Sequence, residues 1–284
     1  MNAPLPLCHT FQSRAYWTWH TLAVAYQVGG RLQEETITDL NILEFMRQHP
    51  TQVKSCTFNK HEEGINGADW EWWFTSANRT NWIGFRLQAK VIDLKAQHFR
   101  HLHYRSKKDR HYQCDKLIAD SLNQTPPRIP LYCFYTFAPN TTRHHSRHAL
   151  TMPAYGASLL SAFTVHYLRV DGHKHDLASL LPHFQPWSIL ACTDSTSIPD
   201  LAYRAHAAWK SDLLATDARL FRQLTRTPPS DVDLDTLLDY RNQLLDITPT
   251  QRPPDYVLQI VEGGDVERPD DPELATVTVL SEEP

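Results

Sequence analysis

Residues 59–90 read NKHEEGINGADWEWWFTSANRTNWIGFRLQAK. From Asp69 the chain alternates: Asp69, Glu71 and Trp73 fall on one side of an extended strand, and Trp70, Trp72 and Phe74 on the other. A second run, Trp82 to Asp93, puts Arg86, Gln88 and Lys90 on one side and Phe85, Leu87, Ala89 and Val91 on the other. The intervening residues, SANRTN, are turn formers, so the two runs read as a hairpin. Its polar sides bring Asp69, at the start of one strand, to Gln88 and Lys90, at the end of the next. A carboxylate, an amide oxygen and a lysine in that arrangement can hold a hard divalent cation and polarise a water beside a phosphate.

Outward from the hairpin, helices and strands continue on both sides. Phe11 to Val28 reads as a helix broken by Gly29-Gly30. Arg31 to His49 reads as a second helix, with a stripe of Leu32, Thr36, Leu40 and Leu43 or Phe45, stopped by Pro50. Val53 to Asn59 is a short strand, Lys95 to Asn123 a polar segment of helical tendency, and Arg128 to Phe137 a buried strand. Ala157 to Val165 reads as a helix, Ser188 to Cys192 as a strand or buried stub, Ile198 to Thr225 as a long helix, and Leu234 to Leu245 as a last short one. After Pro253-Pro254 the acidic, proline-rich composition predicts disorder with one short strand, Tyr256 to Val261. The fold class is α/β: a mixed central β-sheet flanked by helices, with a helical C-terminal extension. The expected organisation is an N-terminal helical segment over 1–30, a core over 31–137, an extension of the same domain over 138–250, and an acidic tail over 251–284.

Composition narrows the function. The hydrophobic fraction of 41% with 8 Trp, 11 Tyr and 11 Phe describes a globular chain, and no apolar run is long enough to cross a membrane. The N-terminal residues lack the apolar stretch of a secretory signal. The 5 cysteines are odd in number, scattered and without a CxxC pair, which points to a reducing cytoplasm and away from disulfides or a zinc ribbon. From Pro253 onward nine acids face one base, Arg268, so the body is mildly basic although the whole chain carries −4. A mildly basic body suits a phosphate-bearing partner.

Further acids stand near the hairpin. Glu63 precedes the Gly67-Ala68-Asp69 turn, and Glu35 lies on the preceding helix, with Glu34 equivalent if the register slips by one. The pattern Glu35…Glu63…Gly67-x-Asp69…Gln88-x-Lys90 resembles the PD-(D/E)XK nuclease superfamily, in its Mrr-like and RecB-like variants with Gln in place of the acid before the lysine. It is similar also to an uncharacterised bacterial family with a Gly-Ala-Asp-Trp core, a Gln-x-Asp-x-Leu-Ile helix (Gln113, Asp115, Leu117, Ile118) and a Pro-Leu-Tyr-x-Phe-Tyr strand (Pro130 to Tyr135). The resemblance spans about Arg31 to Phe137. It implies a restriction-endonuclease-like core and Mg2+ (or Mn2+) held by Asp69, Gln88 and Glu63. It also implies a catalytic Lys90, support from Glu35, endonucleolytic hydrolysis of DNA, and a role as a bacterial antiviral defence effector.

Lys95 to His111 carries six Lys or Arg against one Asp, directly after Lys90. Lys95, Arg105, Lys107, Lys108 and Arg110 are the candidate contacts to a phosphate backbone, of double-stranded DNA in the first instance, with Gln113 orienting substrate or helix. The His/Arg run 143–148 and His173-Lys174-His175 lack the spacing of a zinc-binding helix and read as basic loops. Two other functions fit the same residues. One is an RNase with the same metal site. The other is a catalytically inactive, nuclease-like module that docks a protein partner through its C-terminal helices or assembles with copies of itself.

Overall fold

The computed structural model describes residues 6–58, 69–105, 111–139, 150–192, 200–211, 213, 233–271 and 274–283, with the backbone alone at Asp69 and Leu234. The strands are β1 (Val53–Thr57), β2 (Asp69–Thr75), β3 (Trp82–Val91), β4 (Ile129–Tyr135), β5 (Ala157–Ser161), β6 (Gln185–Pro186) and β7 (Leu274–Ser281). They form one mixed sheet in the order β1-β7-β2-β3-β4-β5-β6. The helices are α1 (Leu7–Val28), α2 (Glu34–Gln48), α3 (Gln113–Leu122), α4 (Ala162–Val170), α5 (Leu177–Leu180), α6 (201–211), α7 (Leu234–Asp246) and α8 (Asp255–Glu262). The α/β class with helices flanking a mixed sheet is the architecture expected from the pattern. Among the described residues no helix is long and apolar enough to cross a membrane.

The hairpin β2–β3 is antiparallel, with Asp69 opposite Gln88, Glu71 opposite Arg86 and Trp73 opposite Gly84. The alternation read from the sequence divides the two faces. Trp70, Trp72, Phe74, Phe85 and Leu87 join the main core. Phe11 of α1 packs its ring against both Trp72 and Phe74. Helix α2 lies on this same face, its Thr38 hydroxyl 2.8 Å from the Tyr135 hydroxyl of β4. On the opposite face Trp73 joins a second core with Val257 and Ile260 of α8 and Leu274, Val277 and Val279 of β7.

That second core contains the principal correction. Residues 251–284, expected to be a disordered tail, supply α8 and a central strand. β7 pairs antiparallel with β1 and parallel with β2. The nine acids counted in this region flank the stretch LATVTVLS and none falls inside it, so average composition concealed a strand former. The expected strand Tyr256 to Val261 is instead helix α8, whose Val257 and Ile260 are buried.

The buried polar side of the hairpin is closed by this segment. The Glu71 carboxylate is 1% exposed and accepts from Trp73 Nε1 at 2.9 Å and from the Tyr256 hydroxyl at 2.7 Å. Arg128 Nε lies 3.2 Å from the same carboxylate, and Arg86 pairs with Asp271. Removing one member of such a buried set leaves an uncompensated charge, worth about 3–5 kcal/mol.

Other boundaries moved for identifiable reasons. The expected helix Ala157 to Val165 is strand β5 as far as Ser161, paired to β4, and helix only from Ala162, where the Ser161 hydroxyl caps the Phe163 N–H. Among the described residues between Lys95 and Asn123 only Gln113–Leu122 is helical; Gln97 and His101 take positive φ in a run of turns. Of Ser188 to Cys192, expected as a strand or buried stub, Ser188 to Leu190 lie in a 3-10 turn. In α2 the buried stripe is Ile37, Thr38, Asn41, Ile42 and Phe45, leaving Leu40 and Leu43 exposed. Cys8 and Cys192 form a disulfide, which overturns the expectation of unpaired cysteines and removes the argument for a reducing compartment.

Helix α1 ends at Gly29 in the left-handed conformation, whose N–H reaches the carbonyls of the last turn. Gly156 meets α1 at closer range: a Cβ there would lie 2.0 Å from the Ala15 carbonyl oxygen and 2.7 Å from the Trp19 nitrogen. Gly156→Ala is therefore expected to cost about 3 kcal/mol in urea unfolding, whereas Gly264→Ala, with open space around it, stays near wild type. Ending the chain at Gly264 deletes β7. The truncated protein should give no cooperative thermal transition by circular dichroism. A wild-type-like melt would show that the sheet closes without it.

Candidate functional site

β3 carries Gln88 and Lys90 towards its C-terminal end, opposite Tyr132 and Phe134 of the parallel strand β4. Both are buried, at 2% and 5% exposure. Asp69 is the direct cross-strand partner of Gln88, as the alternation required. Gln113, the first residue of α3, donates from Nε2 to Gln88 Oε1 at 3.0 Å, which gives it a positioning role on the strand.

The helix acid seen to touch β3 is Glu34. Its Oε1 accepts from the Val91 N–H at 3.3 Å. Burial pushes the Glu34 carboxyl above its ordinary range, partly offset by the Lys90 charge and the Val91 N–H. Glu35, its neighbour, is half-buried. Glu34 also lines a cavity of about 290 Å³ at this end of β3, with Arg31, Lys95, Arg100 and His101 on the same walls. Lys95 and Arg105 are exposed, and the Arg105 guanidinium lies 5.2 Å from the centre of the Tyr112 ring. Glu63, Lys107, Lys108, Arg110 and the run 143–148 lie outside the described residues.

The fit of a divalent cation turns on Gln88. Its Nε2 is buried and has no hydrogen-bond partner among the described residues. A buried N–H left open costs about 1–3 kcal/mol. Rotating both the Gln88 and Gln113 amides by 180° keeps their mutual bond and puts the Gln88 carbonyl oxygen where the open N–H was. An open oxygen is a ligand for a hard cation. Gln88 thus offers an atom whose chemistry suits Mg2+ or Mn2+, and Asp69, whose side chain lies outside the described residues, stands opposite it in the register.

A second group was not reached from the sequence. Asp115, in the first turn of α3, has its Oδ1 2.6 Å from His166 Nδ1 and its Oδ2 3.6 Å from Arg169. Both partners come from α4 and are buried. Asp115 had appeared only as part of a helix pattern. The readable signal was AFTVHYLRV, an apolar helix interrupted by His166 and Arg169 one turn apart. Asp115, His166 and Arg169 line a cavity of about 630 Å³ between α3, α4 and α7.

Ligand atoms of Cys114, Asp115 and His166 lie within 4.8 Å of one another. Their charge is already balanced without a metal. Burial, reinforced by the Asp115 charge, holds the Cys114 thiol well above its ordinary range and so protonated. The thiol donates to Asp115, and Arg169 stands where a cation's charge would be needed.

Burial raises the Asp115 pKa, but the His166 hydrogen bond and the charges of His166 and Arg169 outweigh it, leaving the carboxyl below its ordinary value of 3.8. A depressed folded value means that the contribution is complete above 3.8 and fades as pH falls through the folded value. Asp115→Asn should lower stability by about 1–2 kcal/mol at neutral pH, and the gap should shrink in strong acid. Urea unfolding at the two pH values measures it; an equal deficit at both would show a packing role instead.

No curated protein and no solved structure matches the chain. One family model does, described as a family of unknown function (DUF6615), over residues 7–284, a span that takes in the hairpin, the α3–α4 group and β7 alike. The chain belongs to that family.

Proposed function

We propose that this protein is a metal-dependent nuclease that hydrolyses DNA phosphodiester bonds. The observation that carries the reading is the register of the hairpin: Asp69 directly opposite Gln88, with Lys90 two residues further along β3 and interacting electrostatically with Glu34. Asp69 and the Gln88 carbonyl are the metal ligands in this reading, with Glu63 as the added acid. A bound Mg2+ supplies Lewis-acid stabilisation of the phosphate and a more acidic water. Lys90 holds the attacking water or the scissile phosphate, and its burial makes that charge more effective than on a surface. Glu34 takes the supporting role first given to Glu35, and Gln113 fixes the Gln88 amide. Lys95, Arg100 and His101 at the cavity mouth, and Arg105 beyond it, offer cations to a phosphate backbone.

One observation favours a second reading, an inactive nuclease-like module. Gln88 is capped by Gln113 and largely shielded from solvent. The two readings part in a single experiment: purified protein with plasmid, single-stranded DNA and RNA, in Mg2+, Mn2+ or EDTA. The nuclease reading expects cleavage in metal alone. It further expects Asp69→Ala and Lys90→Ala to lower the rate by at least about 10²–10³-fold with an unchanged circular dichroism spectrum. Cleavage of RNA only would redirect the substrate. Absence of cleavage with all three substrates, or a fully active Asp69→Ala protein, would overturn it.

A further inference from the structure

The turns following β3 and α4 are laced together by backbone bonds: Phe99 N donates to His175 O at 2.9 Å, and Leu177 N to Gln97 O at 3.0 Å. An isolated bridge joins His98 to Asp176. The lacing gathers four histidines from two distant segments. Ring centres lie 5.0 Å apart for His98 and His175, 5.7 Å for His103 and His173, and 6.5 Å for His103 and His175.

Two of these rings are held in defined tautomers by main-chain carbonyls. His103 Nε2 is 2.8 Å from the Lys174 carbonyl oxygen, so that nitrogen carries the proton and donates. Its Nδ1 lone pair is left over, and that atom is buried with no partner among the described residues. His175 Nδ1 is 2.8 Å from the His173 carbonyl oxygen and donates in the same way, so its Nε2 carries the lone pair. A carbonyl on one ring nitrogen, orienting the other as a ligand, is the usual support for a metal-bound imidazole. Two imidazoles on one tetrahedral ion, at about 2.0–2.1 Å per bond, have ring centres about 5 Å apart. The His98–His175 separation matches that value, whereas His103 lies beyond it, at 5.7 Å from His173 and 6.5 Å from His175; closing on an ion requires the exposed side chains of His173 and His175 to turn towards His103.

We propose that His103, His173 and His175, with His98 beside them, bind one transition-metal ion of the zinc class. Neutral imidazoles select borderline ions such as Zn2+ over the hard Mg2+. Nearby positive charge is largely neutralised: Lys174 pairs with Asp171 at 2.6 Å, and Arg169 lies over the Tyr112 ring and beside Asp115. The ion would clip the segment bearing Lys95 and Arg105 to the turn after α4. The inference does not rest on nuclease activity.

The test is equilibrium dialysis of the full, chelator-treated chain against Zn2+, paired with thermal melting. The expected result is one tightly bound ion per chain and a raised Tm. His103→Ala and His175→Ala should each weaken binding by more than about 10-fold; His175 is exposed, so its variant keeps the fold even if the His103 variant does not. No bound ion, or binding unchanged in a folded His175→Ala protein, would overturn the proposal. Binding lost instead with His166→Gln would move the site to Cys114, Asp115 and His166.

Discussion

A carboxylate in the interior governs this fold. Glu71 sits mid-strand in the most aromatic part of the chain, 1% exposed, where an unpaired negative charge is not tolerated. Its partners come from three directions: Trp73 from its own strand, Arg128 from the approach to β4, and Tyr256 from α8. Arg86, across the strand, reaches to Asp271. The hairpin that carries the candidate site is therefore incomplete without the C-terminal segment. Charge pairing selects which segment covers it, and apolar burial by Val257, Ile260 and Val277 provides most of the attraction.

The sequence disclosed what local pattern controls. Period-two alternation gave the hairpin and the division of its faces, with Asp69, Gln88 and Lys90 on matching sides; the observed pairing then sets Asp69 opposite Gln88. Punctuation by Gly29-Gly30 and Pro50 gave the first two helices near their true ends. What stayed hidden depends on distant pairing. β7 is buried on both faces, its alternation is confined to Thr276-Val277-Thr278-Val279, and its acidic surroundings dominate any composition average. The run ASLLSAFTVHYLRV is rich in apolar residues on both sides of Ser161; only pairing with β4 and the Ser161 cap decide where strand becomes helix.

The same division applies to the site. Residue types and order were legible on β2 and β3, but their burial was not, because the cover comes from α3 and the elements beyond it. Gln113 caps Gln88 across 25 residues, and His166 reaches Asp115 across 51. Glu34 rather than its neighbour meets the Val91 N–H because the first turn of α2 opens at the end of β3, a detail of helix phase that a one-residue ambiguity in sequence cannot resolve.

The position of β7 sets a temporal condition on the molecule. Strands β1 and β2, close in sequence, are not neighbours in the sheet; the strand between them follows β2 by most of the chain's length. Until it arrives, the aromatic hairpin presents one edge with unsatisfied main-chain groups, a template open to any extended peptide. The sheet therefore closes late and through contacts of large sequence separation, the regime in which folding is slow and association between partly folded chains competes with it.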